Sequence, residues 1–301
     1  MPICRICKAD AVVSLRYANL SLCREHFIQY LEKRVLTTIE RYRMVRRGDL
    51  IAIAVSGGKD SVALLHLMNK IRDRLQVDLL GITIDLGIKE YSETSVEIAV
   101  ENFKEESIDY RIVKLSDYGF TIDDLARTRR RVCSYCGTVK RYILNAVARR
   151  EGANAIATGH NLDDITAVLL QAYIRGDVDT LRRLDPALPG GEGFVARIKP
   201  LIEVSEKETM TYAFLEGLKW LSDECPYSRG ATSLEYKSIM NILEYNHPSI
   251  KLQMLRVFLK RIKPLLGHQT GGKVKNCKIC GEPAMRDVCS FCRLRLKVVR
   301  E

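Results

Sequence analysis

The sequence predicts an α/β protein: a parallel sheet with helices on both faces, flanked by two small zinc-binding modules. Three observations carry that prediction. Short apolar, β-branched runs alternate with helical patterns through the middle of the chain, the first run ends in a glycine turn, and cysteine pairs sit near both ends. The expected division is an N-terminal metal module over 1–30, a nucleotide-binding domain with a helical C-terminal part over 31–270, and a metal ribbon over 271–301.

The first strand is expected at Leu50 to Val55, followed at once by Ser56-Gly57-Gly58-Lys59-Asp60-Ser61 and the apolar helical stretch Val62 to Met68. Strand, glycine turn and helix in that order expose main-chain N–H groups at a helix N-terminus, where the dipole favours phosphate. Lys59 can neutralise charge there, and Ser56 and Ser61 add hydroxyl donors. The spacing differs from a Walker A loop, because the glycines adjoin Lys59 directly and Asp60 separates it from Ser61.

Further strands are expected at Leu79 to Asp85, Arg111 to Leu115 and Ala155 to Thr158, with helices such as Glu93 to Glu106 and Val139 to Arg150 between them. Ligands of such sheets bind beyond the carboxyl ends of the strands. Ser56 to Ser61, Asp85 and Gly159-His160-Asn161-Leu162-Asp163-Asp164 are therefore expected around one crevice. Asp163 and Asp164 either hold Mg²⁺ on a pyrophosphate or cap the helix Ile165 to Tyr173. The stretch Pro186 to Gly193 reads as a loop.

Lysine and arginine number 48 against 37 acidic residues, a net charge of +11 that favours a polyanion such as nucleic acid. Thiolates on metal would lower that figure without changing its sign. Hydrophobic residues make up 47% of the chain, enough for a sizeable core and against global disorder. No apolar run has membrane-spanning length and the N-terminus has no signal-peptide pattern, so a cytoplasmic protein without a membrane partner is expected.

The ten cysteines are paired at metal-site rather than disulfide spacing. Cys4 and Cys7 with Cys23 and His26 make one tetrahedral zinc set, and Cys277, Cys280, Cys289 and Cys292 make another. All four positions would be filled by protein, which suits structural rather than catalytic metal. Cys133 and Cys136 form a Cys-x-x-Cys with only the distant Cys225 left to join them. Three thiolates leave an open position, as in an iron-sulfur cluster with one exposed iron or a catalytic zinc; a metal-free redox or persulfide pair and inert thiols are the alternatives. Arg127, Arg129, Arg130 and Arg131, just ahead of Cys133, lower thiol pKa values if they face the site and otherwise form a solvated surface. On a helix, Lys140 lies one turn beyond Cys136 on the same face, in reach of a phosphate or of the open metal position.

Together the Ser56 to Ser61 loop, Cys133-x-x-Cys136, Lys140, the run from Gly159 to Asp164, Cys225 and a zinc unit at each end resemble one family. They are similar to the TtuA-type tRNA 2-thiouridine synthetases of the PP-loop ATP pyrophosphatase superfamily, which also includes the TtcA-type 2-thiocytidine enzymes. Ile165 stands where relatives often carry an acidic residue after the Asp pair. The resemblance implies ATP, with Mg²⁺, on Ala54, Ser56, Gly57, Gly58, Lys59, Asp60, Ser61, Ile84, Lys140, Gly159 and Asp164, with catalytic roles for Lys140, Asp164 and Asp60. It also implies a 4Fe-4S cluster on Cys133, Cys136 and Cys225 whose fourth iron presents hydrosulfide to an activated carbon.

The implied reaction is adenylation of the C2 oxygen of a tRNA uridine, with position 54 of the T-loop as the expected target, followed by replacement of that oxygen with sulfur. Wobble-uridine or cytidine thiolation, nitrogen transfer by a related PP-loop enzyme, and a zinc-ribbon RNA-binding scaffold are the alternatives. The resemblance further implies tRNA, a ubiquitin-like sulfur carrier ending in a thiocarboxylate, and a second copy of the chain as partners. Lys251 to Lys263 reads as an amphipathic helix with Leu252, Leu255, Phe258, Leu259 and Ile262 inward and Lys251, Arg256, Lys260, Arg261 and Lys263 outward. That basic face either binds phosphate or is simply solvated.

Overall fold

The computed structural model describes residues 2–128, 132–228, 232–267 and 274–298. The chain opens with a hairpin of β1 (Val13–Leu15) and β2 (Leu20–Leu22), then α1 (Arg24–Arg41) and β3 (Leu50–Ala54). Next come α2 (Lys59–Leu75), β4 (Asp78–Asp85), α3 (Tyr91–Glu105), β5 (Tyr110–Lys114), α4 (Ile122–Thr128), α5 (Val132–Arg150) and β6 (Ala155–Thr158). They are followed by α6 (Leu162–Arg175), α7 (Val178–Arg183), β7 (Ala187–Leu188), β8 (Ala196–Ile198), α8 (Glu206–Glu216), α9 (Thr232–Asn246) and α10 (Ile250–Val257). A second small hairpin, β9 (Lys275–Asn276) with β10 (Pro283–Ala284), and α11 (Ser290–Val298) complete the order.

The central sheet runs β5-β4-β3-β6-β8-β7, parallel except for β7. The chain moves outward one way through β3, β4 and β5 and the other way through β6 and β8, so the switch point lies between β3 and β6. Successive side chains on a strand point to opposite faces, and the sheet uses both. Ile51, Ile53, Ala155, Ala157 and Ile198 join a core with α1, α2, α6, α8 and α10. Ala52, Ile82 and Ile156 join another with α4, α5 and α11. The two terminal modules take opposite sides: Cys4, Leu15 and Leu22 belong to the first core, and Cys277, Ala284 and Cys292 to the second.

The C-terminal module braces α5. Phe291 stacks on Tyr142 with ring centroids 3.9 Å apart and planes 4° from parallel, and Arg149 pairs with Glu282 at 2.8 Å. On the other side the buried Glu203 accepts from Arg41 and Tyr42 at 2.8 Å and from Arg256 at 2.7 Å, joining α1 to α10.

The strands and helices expected around the glycine turn are present, with helix ends extended by one to several residues. Three expectations are corrected. Pro186 to Gly193 is not all loop, because Ala187 and Leu188 pair antiparallel with β8. The helix expected over Lys251 to Lys263 is α-helical only to Val257, then a π-turn over Phe258–Ile262 and a 3-10 turn over Lys263–Leu266. Lys251 points inward rather than outward: its ammonium is buried, 2.5 Å from Asp163 Oδ1 and bonded to Asn241 Oδ1. A long cation covers apolar surface with its stem and is tolerated inside only when paired, and Asp163 supplies the partner.

Candidate active site and metal centres

The turn between β3 and α2 is shaped by two glycines. Gly57 has φ +74, and a Cβ there would lie 2.7 Å from the Ser95 carbonyl oxygen, so only glycine fits without displacing α3. Gly58 is the N-cap of α2 and has no side chain to cap it. Ser61 Oγ accepts from the Ser56 amide at 3.1 Å and donates to the Gly58 carbonyl at 2.8 Å, while Ser95 Oγ donates to the Ser56 carbonyl at 2.8 Å. The main-chain amides of Gly57 and Gly58 have no acceptor among the described residues, and an anion at the α2 N-terminus would satisfy them.

The β6–α6 turn closes the other wall. A Cβ on Gly159 would meet the Asp60 carbonyl carbon and the Ser61 nitrogen at 3.0 Å, so a glycine is what lets the turns approach. Ala54 and Ile84, near the ends of β3 and β4, are partly buried on the α5 side of the same crevice.

Five charges line the crevice in a chain. Lys59 lies 2.5 Å from Glu206 Oε1 and 3.2 Å from Asp60 Oδ2; Glu206 Oε2 lies 3.2 Å from Lys237, and Lys237 lies 2.6 Å from Asp164 Oδ1. Burial disfavours the Lys237 ammonium, but Asp164 and Glu206 outweigh it and hold its pKa well above the usual lysine range. Burial also opposes the Glu206 carboxylate, and Lys59 and Lys237 reverse that and lower its pKa. Asp60 is held by the Thr209 hydroxyl of α8.

The aspartate pair divides its work. Asp164 caps α6 through a reciprocal box with Asn161, both bonds at 3.1 Å, and keeps a partly exposed oxygen toward Lys237. Asp163 is buried, taken up by Lys251 and by the Glu206 amide at 2.9 Å, and is therefore unavailable to a metal ion.

Lys140 stands one turn beyond Cys136 on α5, makes no ion pair among the described residues, and acts electrostatically on both Cys136 and the crevice residue His160. Its charge reaches both sides. It partly offsets the burial that raises the Cys136 thiol, and it adds to the desolvation that depresses His160, together with Lys199 and Lys237 and against Asp164. His160 Nδ1 sits 2.8 Å from Thr158 Oγ1.

Cys133 and Cys136 lie in the first turns of α5, and Cys225 comes from the segment after α8. The Cys133 thiol donates to the Tyr227 carbonyl at 3.1 Å; Cys133 and Cys225 both raise the Cys136 pKa, behind the larger effect of burial. Tyr91, at the start of α3, is raised by burial and then by Cys225 and Cys136. The three thiols thus share one locus, yet their sulfurs do not come within the 4.8 Å spacing of the terminal sets. Ligands of a cluster bind different irons and stand wider apart than ligands of a single ion, so the looser set fits a cluster better.

The terminal sets are tighter. The donor atoms of Cys4, Cys7, Cys23 and His26, and those of Cys277, Cys280, Cys289 and Cys292, each lie within 4.8 Å of one another. In the first, Cys23 Sγ is 3.1 Å and Cys4 Sγ 3.7 Å from His26 Nδ1, so His26 joins the set. In the second, the amides of Cys289 and Cys292 point at sulfur, both at 3.3 Å. The donor set in each fits Zn²⁺.

Sequence reasoning missed Glu206 and Lys237, which no motif marks; the Ser205-x-x-Glu208 capping box next to Glu206 was the readable signal. Arg127 is exposed and loosely paired with Asp124 at 3.9 Å, while Arg129, Arg130 and Arg131 lie outside the described residues.

Fold and site define a nucleotide-binding α/β protein of the PP-loop class. A family model described as the PP-loop domain matches residues 28–231, and one described as the N-terminal LIM domain of the 2-thiouridine synthetase TtuA matches residues 3–28. The chain belongs to the PP-loop family and, within it, to the TtuA-type 2-thiouridine synthetases. It is 41% identical to a tRNA-5-methyluridine(54) 2-sulfurtransferase of Thermus thermophilus, covering 97% of this chain and 90% of that one. Identity to the enzyme of the same name from Pyrococcus horikoshii is 39%, over 96% and 92%. A solved structure of the U34-tRNA thiolase NcsA from Methanococcus maripaludis, with its [4Fe-4S] cluster, superposes with TM-score 0.84 at 32% identity, covering 99% of this chain and 96% of that one.

Proposed function

We propose that this protein is an ATP-dependent tRNA 2-sulfurtransferase acting on 5-methyluridine 54. The observation that carries the reading is that the segment bearing Cys225 is bonded both to the glycine turn, through the Leu221 amide and the Gly57 carbonyl, and to Cys133, through the Tyr227 carbonyl. Greater identity to the position-54 enzymes than to the U34 thiolase favours the T-loop target.

In this reading the Gly57 and Gly58 amides and the Ser56 and Ser61 hydroxyls bind ATP phosphates, with Lys59 drawn from Glu206 to help. Ala54, Ile84 and Gly159 wall the adenosine, and Asp60 and Asp164 offer hard oxygens to the Mg²⁺ that accompanies ATP. The uridine C2 oxygen attacks the α-phosphorus and pyrophosphate leaves; sulfur then adds at C2 and the oxygen departs with AMP. Lys140, one turn beyond Cys136 on α5, stabilises the phosphoryl oxyanion during both displacements.

Cys133, Cys136 and Cys225 would hold a 4Fe-4S cluster with one iron free of protein ligands, which when bound supplies a localised sulfur nucleophile. The terminal sets would hold Zn²⁺ and organise modules over 1–30 and 271–301 around a 31–270 catalytic domain. A ubiquitin-like carrier with a C-terminal thiocarboxylate as sulfur donor, homodimerisation and a reducing cytoplasmic setting complete the proposal. No helix of the described residues is long and apolar enough to cross a membrane.

The test is nucleoside mass spectrometry of unmodified tRNA after anaerobic incubation with ATP, sulfide and protein, comparing iron-loaded with iron-stripped, zinc-retaining samples. Sulfur in one uridine only with iron present supports the reading. If no nucleoside gains sulfur while ATP and tRNA both bind, the assignment is abandoned.

A further inference from the structure

Lys237, on α9, is placed at the nucleotide turn by its neighbours. Its ammonium lies 3.2 Å from Glu206 Oε2, and the other oxygen of the same carboxylate, Oε1, lies 2.5 Å from the ammonium of Lys59, the first residue of α2. One carboxylate thus holds two lysines, one on each oxygen, next to the Gly57 and Gly58 amides that await an anion. Glu206 is fixed there by its own main chain: it opens α8, and its amide donates to Asp163 Oδ2 at 2.9 Å. Side-chain exposures of 19% for Lys237, 26% for Lys59 and 31% for Glu206 leave the bridge accessible to an incoming ligand.

Asp164 supplies a second, independent constraint. Its Oδ2 accepts from the Asn161 amide at 3.1 Å, which leaves Oδ1 as the oxygen it can offer to Mg²⁺, and Lys237 holds that oxygen at 2.6 Å. An ammonium and a divalent cation repel each other, so Lys237 must leave before Asp164 can take a metal. A carboxylate and a phosphoryl group both present paired oxygens to cationic donors, so one can replace the other between the two lysines. Lysine is a compact charge on a flexible stem, which suits a residue that changes partners.

We propose that Glu206 is an internal stand-in for phosphate, and that Lys237 joins Lys59 on the β- and γ-phosphates of ATP once the nucleotide displaces that carboxylate. The two lysines exchange one shared carboxylate for phosphoryl oxygens, and Asp164 Oδ1 becomes free for the metal. The same pair holds pyrophosphate as it leaves. The inference rests on the proposed ATP-dependent adenylation and adds to it a phosphate-binding residue delivered by α9, the helix that follows the Cys225 segment.

The experiment is calorimetry on the full metal-loaded protein, without added magnesium, with ATP, inorganic pyrophosphate and AMP as probes for wild type, Lys237→Met, Lys237→Arg and Glu206→Gln. Lys237→Met should weaken ATP and pyrophosphate about tenfold and leave AMP unchanged, because it removes a charge-assisted contact to phosphates that AMP lacks. Lys237→Arg should recover most of that loss. Glu206→Gln keeps the shape of the side chain and removes the competing charge, so affinity for ATP and pyrophosphate should rise about threefold. Opposite signs for the two members of one ion pair mark an exchange of partners, whereas a purely structural pair loses affinity in both variants. Unchanged ATP and pyrophosphate affinity in Lys237→Met would overturn the proposal, and so would a parallel loss of AMP binding or weaker pyrophosphate binding in Glu206→Gln. A wild-type protein that binds no ATP would instead sink the proposed function itself, and this inference with it.

Discussion

The main-chain amide of Leu221 donates to the carbonyl of Gly57 at 2.9 Å. Four residues later the same segment delivers Cys225, so the nucleotide turn and the third thiol are fastened to one another through the backbone.

Gly57→Ala tests that fastening. The substitution forces a Cβ to within 2.7 Å of the Ser95 oxygen at φ +74, a strain of about 1–3 kcal/mol. ATP affinity by calorimetry should fall by roughly fivefold or more for that strain. Wild-type ATP affinity in a folded variant would refute the role of the turn.

Glu203 sets an acid limit on stability. Burial opposes its charge, but Arg256, Tyr42 and Arg41 reverse the balance and lower its pKa below the ordinary 4.5. A depressed carboxylate contributes stability above its unfolded pKa and loses it as pH falls through the folded value, so the contribution is full at neutral pH and fades below about 4.5. Glu203→Gln should cost about 2–3 kcal/mol at pH 7, less than a fully buried pair because Arg41 and Arg256 are half-exposed. Urea unfolding at pH 7 and pH 4 should show the gap between variant and wild type narrowing in acid; a constant gap would contradict the assignment.

The Lys251–Asp163 pair is almost wholly enclosed, with side-chain exposures of 4% and 6%. Lys251→Met should cost about 3–5 kcal/mol by stranding a buried carboxylate, and adding Asp163→Asn should recover part of it. Additive losses in the double-mutant cycle would show that the two residues act separately.

Zinc in the C-terminal set should matter to a helix that binds none of it. Cys289→Ser removes a ligand, loosens the Phe291–Tyr142 stack and should accelerate hydrogen exchange along α5, while ATP binding at Ser56 to Ser61 persists. Unaltered α5 exchange in zinc-depleted protein would rule out the bracing role.

The parts of this molecule that follow local rules were legible in the sequence. Strand, turn and helix around Ser56 to Ser61 are each dictated by neighbours in the chain, and the terminal Cys/His groups gather as their paired spacings predict. What escaped depends on distant partners. Lys251 looks like one more outward cation until Asp163 is seen opposite it. The Lys59–Glu206–Lys237–Asp164 chain joins residues from four helices, and no periodicity announces it.

The Phe291–Tyr142 stack also sets an order of events during synthesis. Residues that steady α5 emerge from the ribosome long after α5 itself, so the sheet and its nucleotide turn can form first. Phe291, which stacks on the helix bearing Cys133, Cys136 and Lys140, belongs to the last helix of the chain. The last element to be synthesised is thus the one that steadies a helix begun about 160 residues earlier.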